Sequence, residues 1–220
     1  MKGNLVVAGL LFVLFACNNN TSTGDTSSNG DSSNHAAHQP DADDTNSGSG
    51  RNYMKDMHDA MSKMMQQMQQ MQPTGDPDHD FAMMMKHHHE GAIDMAEAEV
   101  AGGTDATLQQ MARNMIEEQR KENAGFDRIL QRHQPSGTSD FGRKAMGMMT
   151  PMSDIKMEGG SLDAMFASMM IPHHQDAVQM SQEYLKLCKN EELKKISRDI
   201  IQSQPKEIGQ LQQWLNSHKG

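Results

Sequence analysis

Between Met111 and Leu130 apolar residues recur at helical spacing (Met111, Met115, Ile116, Phe126, Ile129, Leu130), and the same stripe returns as Ile196, Ile200, Ile201, Leu211, Trp214 and Leu215. Upstream, Met54, Met57, Met61, Met64, Met68 and Met71 are spaced 3, 4, 3, 4 and 3, which predicts a helix carrying a heptad seam made of methionine and ended by Pro73. The two later stripes belong to a repeat. An offset of 85 lays residues 161–218 on 76–133 without a gap, matching Phe81 with Phe166, Met84 with Met169, Met85 with Met170, His88 with His173, His89 with His174, Ala92 with Ala177, Met95 with Met180, Gln119 with Gln204, Glu122 with Glu207 and His133 with His218.

Helix boundaries obey the same offset. Asp76 followed by Pro77 is a good start, and Ser161 is its counterpart cap; Asp105 and Asn190 cap the second helix of each unit. Gly102 and Gly103 permit a left-handed C-terminal residue on the first helix. Each unit therefore reads as a helical hairpin, 76–133 and 161–218, that cannot bury its stripe alone. Two of them make an all-α four-helix bundle, residues 73–220, with approximate two-fold symmetry and one core. The Met-rich helix, residues 53–72, is an extra N-terminal element whose seam either folds back on the bundle or pairs with a copy of itself as a homodimer. The linker 134–160 has too many glycines and prolines for a continuous helix and is expected to wrap the bundle.

The first residues have a different pattern. Lys2 precedes an apolar run from Leu5 to Ala16, too short to span a membrane, that reads as a secretory signal over residues 1–16. The tetrad Leu14-Phe15-Ala16-Cys17 resembles the lipobox of bacterial lipoproteins, which implies lipidation of Cys17 after cleavage. Residues 17–52 are mostly Ser, Thr, Asn, Asp and Gly with little to bury, a tether from that anchor. The expected location is exported and lipid-anchored to a bacterial cell membrane, facing the periplasm or the cell surface.

Composition sharpens the question of chemistry. The chain has 220 residues, with 23 Met and 11 His against one Trp and two Tyr, and a formal net charge of −9. That charge argues against nucleic acid as a partner. With only Cys17 and Cys188 present, a lipidated Cys17 leaves no internal disulfide, and Cys188 reads as a small buried hydrophobe.

Residues three, four and seven apart share a helix face, so Met169, His173 and Met180 form one stripe and Met170 sits one turn before His174; Met84, His88 and Met95, and Met85 with His89, repeat this. A methionine stripe by itself is usually core packing. Adjacent histidines at the same place in both units are different, because buried imidazoles need partners. Thioether and imidazole together select copper, with thioether favouring Cu(I) and Cu(II) also accommodated. Thioether has no proton to lose, so such a site weakens only partly on acidification. The candidate ligands are His88, His89, His173, His174, Met84, Met85, Met95, Met169, Met170 and Met180, with His87 as a further imidazole where unit two has Pro172. Pro172 is expected to kink its helix. His133 and His218 suit helix C-termini as caps, His79 reads as a surface residue, and Glu122 and Glu207 are candidates to hold histidine rings.

The string Met170, Ile171, Pro172, His173, His174, Ala177, Met180, with Gln204, Glu207, Ile208, Trp214 and Leu215 downstream, resembles the bacterial domain of unknown function family 305. Unit one keeps His88, His89, Gly91, Ala92, Ile93 and Met95 but departs at Lys86 and His87. The resemblance implies a ferritin-like four-helix bundle and periplasmic copper binding through these His and Met residues, and no established reaction.

The expectation is a non-enzymatic protein that sequesters copper or delivers it to a copper-transfer partner protein. One alternative is a Met-rich interaction or structural surface lipoprotein, which leaves the paired histidines unexplained. Another is a ferritin-like metal oxidase, but a di-iron carboxylate site requires Glu-x-x-His pairs that this sequence lacks.

Overall fold

The computed structural model describes residues 44–218, with side chains from residue 52 onward. The apolar leader, Cys17 and the tether before residue 44 lie outside the described residues. Within them the structure is helical: α1 (Asp44–Gln70), α2 (Pro77–Gly102), α3 (Ala106–Arg132), α4 (Phe141–Met146), α5 (Leu162–Tyr184) and α6 (Glu191–Ser217), with one short 3₁₀ turn at Met152–Asp154. No helix among the described residues is long and apolar enough to cross a membrane.

Side-chain capping starts the four bundle helices. Asp76 accepts from the His79 amide, Asp105 from Thr107 and Leu108, Ser161 from Ala164, and Asn190 from Glu192 and Leu193. Each satisfies amides that the helix itself leaves orphaned, typically about 1 kcal/mol apiece. Gly103 does not adopt the expected left-handed conformation; its φ is −66°. A Cβ there would lie 2.4 Å from Glu99 Oε1 and 2.6 Å from the Glu99 backbone carbonyl oxygen, so what excludes a side chain is the close approach of both the carboxyl and the helix's own backbone. Pro172 lies inside an uninterrupted α5, and Pro205 inside α6.

The helices α2 and α5 bury residues on most of their circumference, whereas α3 and α6 bury one stripe each. This places α2 and α5 at the centre of the bundle, each packed on the second helix of its own hairpin and on the other. They run antiparallel: Phe81 near the start of α2 stacks on Tyr184 at the end of α5 (ring centroids 4.0 Å, planes 6° apart) and meets Phe126 edge-on at 6.0 Å. Such contacts add roughly 0.5–1.5 kcal/mol each beyond their buried area. Because equivalent residues of a two-fold meet only at its axis, the approach of His88 to His173 marks where the pseudo-two-fold crosses the bundle.

The symmetry fails on the outer faces. Met57, Met61, Met64 and Met68 of α1 are buried, and α1 lies along α2, so the seam folds back on its own bundle. Met54 is 51% exposed and drops out of the seam, and α1 begins at Asp44, inside the stretch read as tether. Gly91 makes the docking feasible, since a Cβ there would lie 2.8 Å from Met64 Sδ and 2.9 Å from its Cβ. At the equivalent place in unit two stands Asp176, which accepts hydrogen bonds from the Thr150 amide (2.7 Å) and hydroxyl (2.8 Å) of the linker. One repeat is therefore covered by α1 and the other is tied to the linker.

Candidate metal centre

Sequence periodicity brings His88 and His89 onto the inner side of α2, and His173 and His174 onto the inner side of α5. All four are buried, His89 and His174 completely. The rings of His88 and His173 lie face to face across the pseudo-two-fold, with centroids 3.7 Å apart and planes inclined by 36°. His89 and His174 flank them, with ring centroids 6.5 and 6.2 Å from His88 and His173 respectively. Met84, Met85, Met95, Met169, Met170 and Met180 are all at most 2% exposed on the same two helices. The bundle thus gathers the histidines of both repeats at its axis, on two helices that also bury these six methionines.

The polar atoms of this cluster are not paired within the protein. Neither ring nitrogen of His88 has a hydrogen-bond partner, and neither ring nitrogen of His173 has one. Burying such groups without partners costs about 1–3 kcal/mol each, so the arrangement is one that packing alone would not select. Burial, with the neighbouring histidines adding to it, holds both imidazoles well below the ordinary histidine range. They are therefore neutral, with a lone pair on each ring, the form in which imidazole binds a metal.

The outer pair is held by carboxylates from the second helices. His89 Nε2 lies 2.6 Å from Glu122 Oε2, and His174 Nε2 lies 3.0 Å from Glu207 Oε2, the latter contact angled away from good hydrogen-bond geometry. A carboxylate accepting from Nε2–H leaves Nδ1 as the lone-pair nitrogen. His89 Nδ1 is buried and unpartnered and so is left to face a bound ion, whereas both ring nitrogens of His174 are buried without a hydrogen-bond partner. One turn before each carboxylate stand Gln119 and Gln204, buried, each with an orphaned Oε1. The repeat pairs these glutamines, and that coincidence was the available signal that they border the site.

His87 goes elsewhere. It sits on the side of α2 facing α1, where its Nδ1 lies 3.0 Å from Glu90 Oε2. His133 ends α3 as expected, but its ring also reaches across to Asp76 at 2.9 Å. Asp76, Asp78 and His133 offer ligand atoms within 4.8 Å of one another. Both Asp76 oxygens are already engaged, by the His79 and Ser136 amides, and Asp78 Oδ1 accepts from the Tyr184 hydroxyl and the Lys189 amide. That group is a structural joint between hairpins. His218 stacks on Trp214 at 4.2 Å. Cys188 is half-buried at the core periphery, with its thiol 3.5 Å from the Leu185 carbonyl.

The family model described as Domain of unknown function (DUF305) matches residues 21–130 and 128–215. Among solved structures, CopM in the Cu(I)-bound form is 31% identical over 65% of this chain and 98% of its own, with a TM-score of 0.52. CopM in the Cu(II)-bound form is 34% identical over 64% and 96%, with the same TM-score. The Ag-bound form obtained by soaking is 32% identical over 65% and 97%, again at 0.52. No curated protein matches the chain.

Proposed function

Since the chain belongs to the DUF305 family, we propose that it is an exported, lipid-anchored copper-binding protein that holds copper between the two hairpins and either sequesters it or passes it to a partner. The observation that carries this reading is the convergence of His88 and His173 at 3.7 Å with all four ring nitrogens unpartnered. Neutral imidazoles among buried methionines form a soft donor set suited to copper and poorly suited to magnesium or calcium. The binding of copper by CopM, a relative of similar fold, supports the same cargo here.

Copper is cargo in this reading, and no residue is assigned a catalytic step. Cu(I) is the favoured state because six methionines share the core with the histidines. Lys2, the apolar run from Leu5 and Cys17 support export and anchoring. Glu122 and Glu207 fix the outer histidines, and the buried surround excludes water from the site.

The test is copper stoichiometry. The full chain is loaded anaerobically with Cu(I) against a competing chelator, and bound metal is counted by elemental analysis. Replacing His173 and His174 together by Ala is expected to lower the count while far-UV circular dichroism keeps its helical signal. An unchanged count would refute the assignment.

A further inference from the structure

The core centre leaves His79, Met83 and His87 unused. They follow one another at four-residue intervals along α2, so they share a face and each lies about 6 Å along the axis from the next. That face borders a surface cavity of about 440 Å³ between α2 and the end of α1, lined by Met71, Met83, His79 and His87 with Gln67 and Asp80 among its polar neighbours. The donors there are of the same type as in the core, at the protein surface.

Neither histidine is consumed by structural bonding. His79 Nδ1 is buried and has no hydrogen-bond partner. Its nearest acidic atom, Asp80 Oδ1, is 3.9 Å away and already accepts from the Thr74 amide and hydroxyl. In His87 the contact to Glu90 engages Nδ1, which leaves Nε2 as the lone-pair nitrogen when Nδ1 carries the proton. Gln67 reaches the same Glu90 carboxylate at 3.4 Å, so a residue of α1 helps to fix that ring. Met83 stands one turn from each histidine, and Met71 adds a second thioether from the end of α1.

We propose that this cavity is a second, outward-facing Cu(I) site, centred on the Met83 thioether and completed by His79 or His87 with Met71. The inference rests on the copper reading above and extends it. Two- or three-coordinate Cu(I) needs no more than one imidazole and two thioethers, which the cavity holds. Unit two has no such face: the positions equivalent to His79, Met83 and His87 are Ala164, Ser168 and Pro172. The site therefore belongs to the α1-covered side alone. Its His87 is the sequence neighbour of His88, so one turn of α2 presents histidine to the surface and to the core.

The full chain, its His79→Gln/Met83→Leu/His87→Gln variant and its His88→Leu/His173→Leu variant are each saturated with chelator-buffered Cu(I) and their copper counted. The outer variant is expected to bind one copper fewer per chain than the parent, and the core variant to keep that outer ion. Equal counts in parent and outer variant overturn the outer site and leave the core reading standing. A deficit in the outer variant alone, with the core variant equal to the parent, supports the outer site and refutes the core one. Met83→Leu, close to methionine in volume, repeats the measurement with minimal risk to folding: copper leaving it no faster under chelator than it leaves the parent also overturns the proposal.

Discussion

Replacing both axial histidines by leucine, His88→Leu with His173→Leu, is expected to stabilise the metal-free protein. In the parent, two neutral imidazoles bury four ring nitrogens, two donors and two acceptors, with no partner. Each unsatisfied group costs about 1–3 kcal/mol. Leucine occupies a similar volume with no polar atom, so removing both rings recovers roughly 2–4 kcal/mol, taking the low end for each group because the facing rings retain van der Waals contact. For a chain of this size that corresponds to about 5–15 °C in Tm. The assay is thermal unfolding followed by circular dichroism, with chelator present and then with Cu(I). The metal-free variant is expected to melt above the metal-free parent. Copper at about a hundredfold over its Kd is expected to stabilise the parent by about 2.7 kcal/mol and the variant by much less. A metal-free variant that melts below its parent would refute the reasoning, since it would mean the rings are satisfied and serve packing.

Three further outcomes are expected. Glu122→Gln and Glu207→Gln, which weaken the hold on His89 and His174, are expected to lower Cu(I) affinity about 10–100-fold in chelator competition with the copper count unchanged. Gly91→Ala puts a Cβ 2.9 Å from Met64 Cβ, and because that atom is fixed to the α1 backbone the helix must shift; α1 is expected to lose about 1–3 kcal/mol of protection in amide hydrogen exchange. Glu99 is raised from its ordinary 4.5 to about 7, by burial first and by the facing Asp163 and Asp105, while the Tyr53 hydroxyl, which donates to it at 2.5 Å, acts the other way. The folded state then binds more protons than the unfolded one between pH 4.5 and 7, so stability falls as pH rises through that window, by roughly 2–3 kcal/mol. Urea denaturation across pH 5–8 is expected to show this slope in the parent and a shallower one in Glu99→Gln.

Much of this architecture is legible in the sequence because it is local or repeated. Asp76, Asp105, Ser161 and Asn190 announce helix starts through their own side chains, and all four make the bonds their types suggest. The offset of 85 pairs His88 with His173 in the sequence itself. What the pattern does not carry is which elements lie against the outer faces. A run of three histidines spans about 200° of a helix, so nothing local says that His87 faces α1 while His88 faces α5. His79 reads as a surface residue for the same reason, yet the approach of α1 leaves its side chain only 14% exposed. Gly103 invites a left-handed cap by its type, yet it takes an extended conformation with φ −66° and ψ 156° and donates its amide to the Glu99 carbonyl.

The broken symmetry at the bundle ends has a consequence for how the chain can change over time. Tyr184 and Glu99 occupy equivalent places in the two repeats; Tyr184 supplies its own phenol to Asp78, whereas at Glu99 the phenol comes from Tyr53 of α1. With a carboxyl at position 99, loss of the appended helix carries a cost: a descendant beginning at Pro73 would leave Glu99 facing Asp163 without the Tyr53 hydroxyl. That cost is absent where the residue at position 99 fills the space itself, as Tyr184 does in the other half. A helix that looks like an optional extension has thereby become a condition of the repeat it covers.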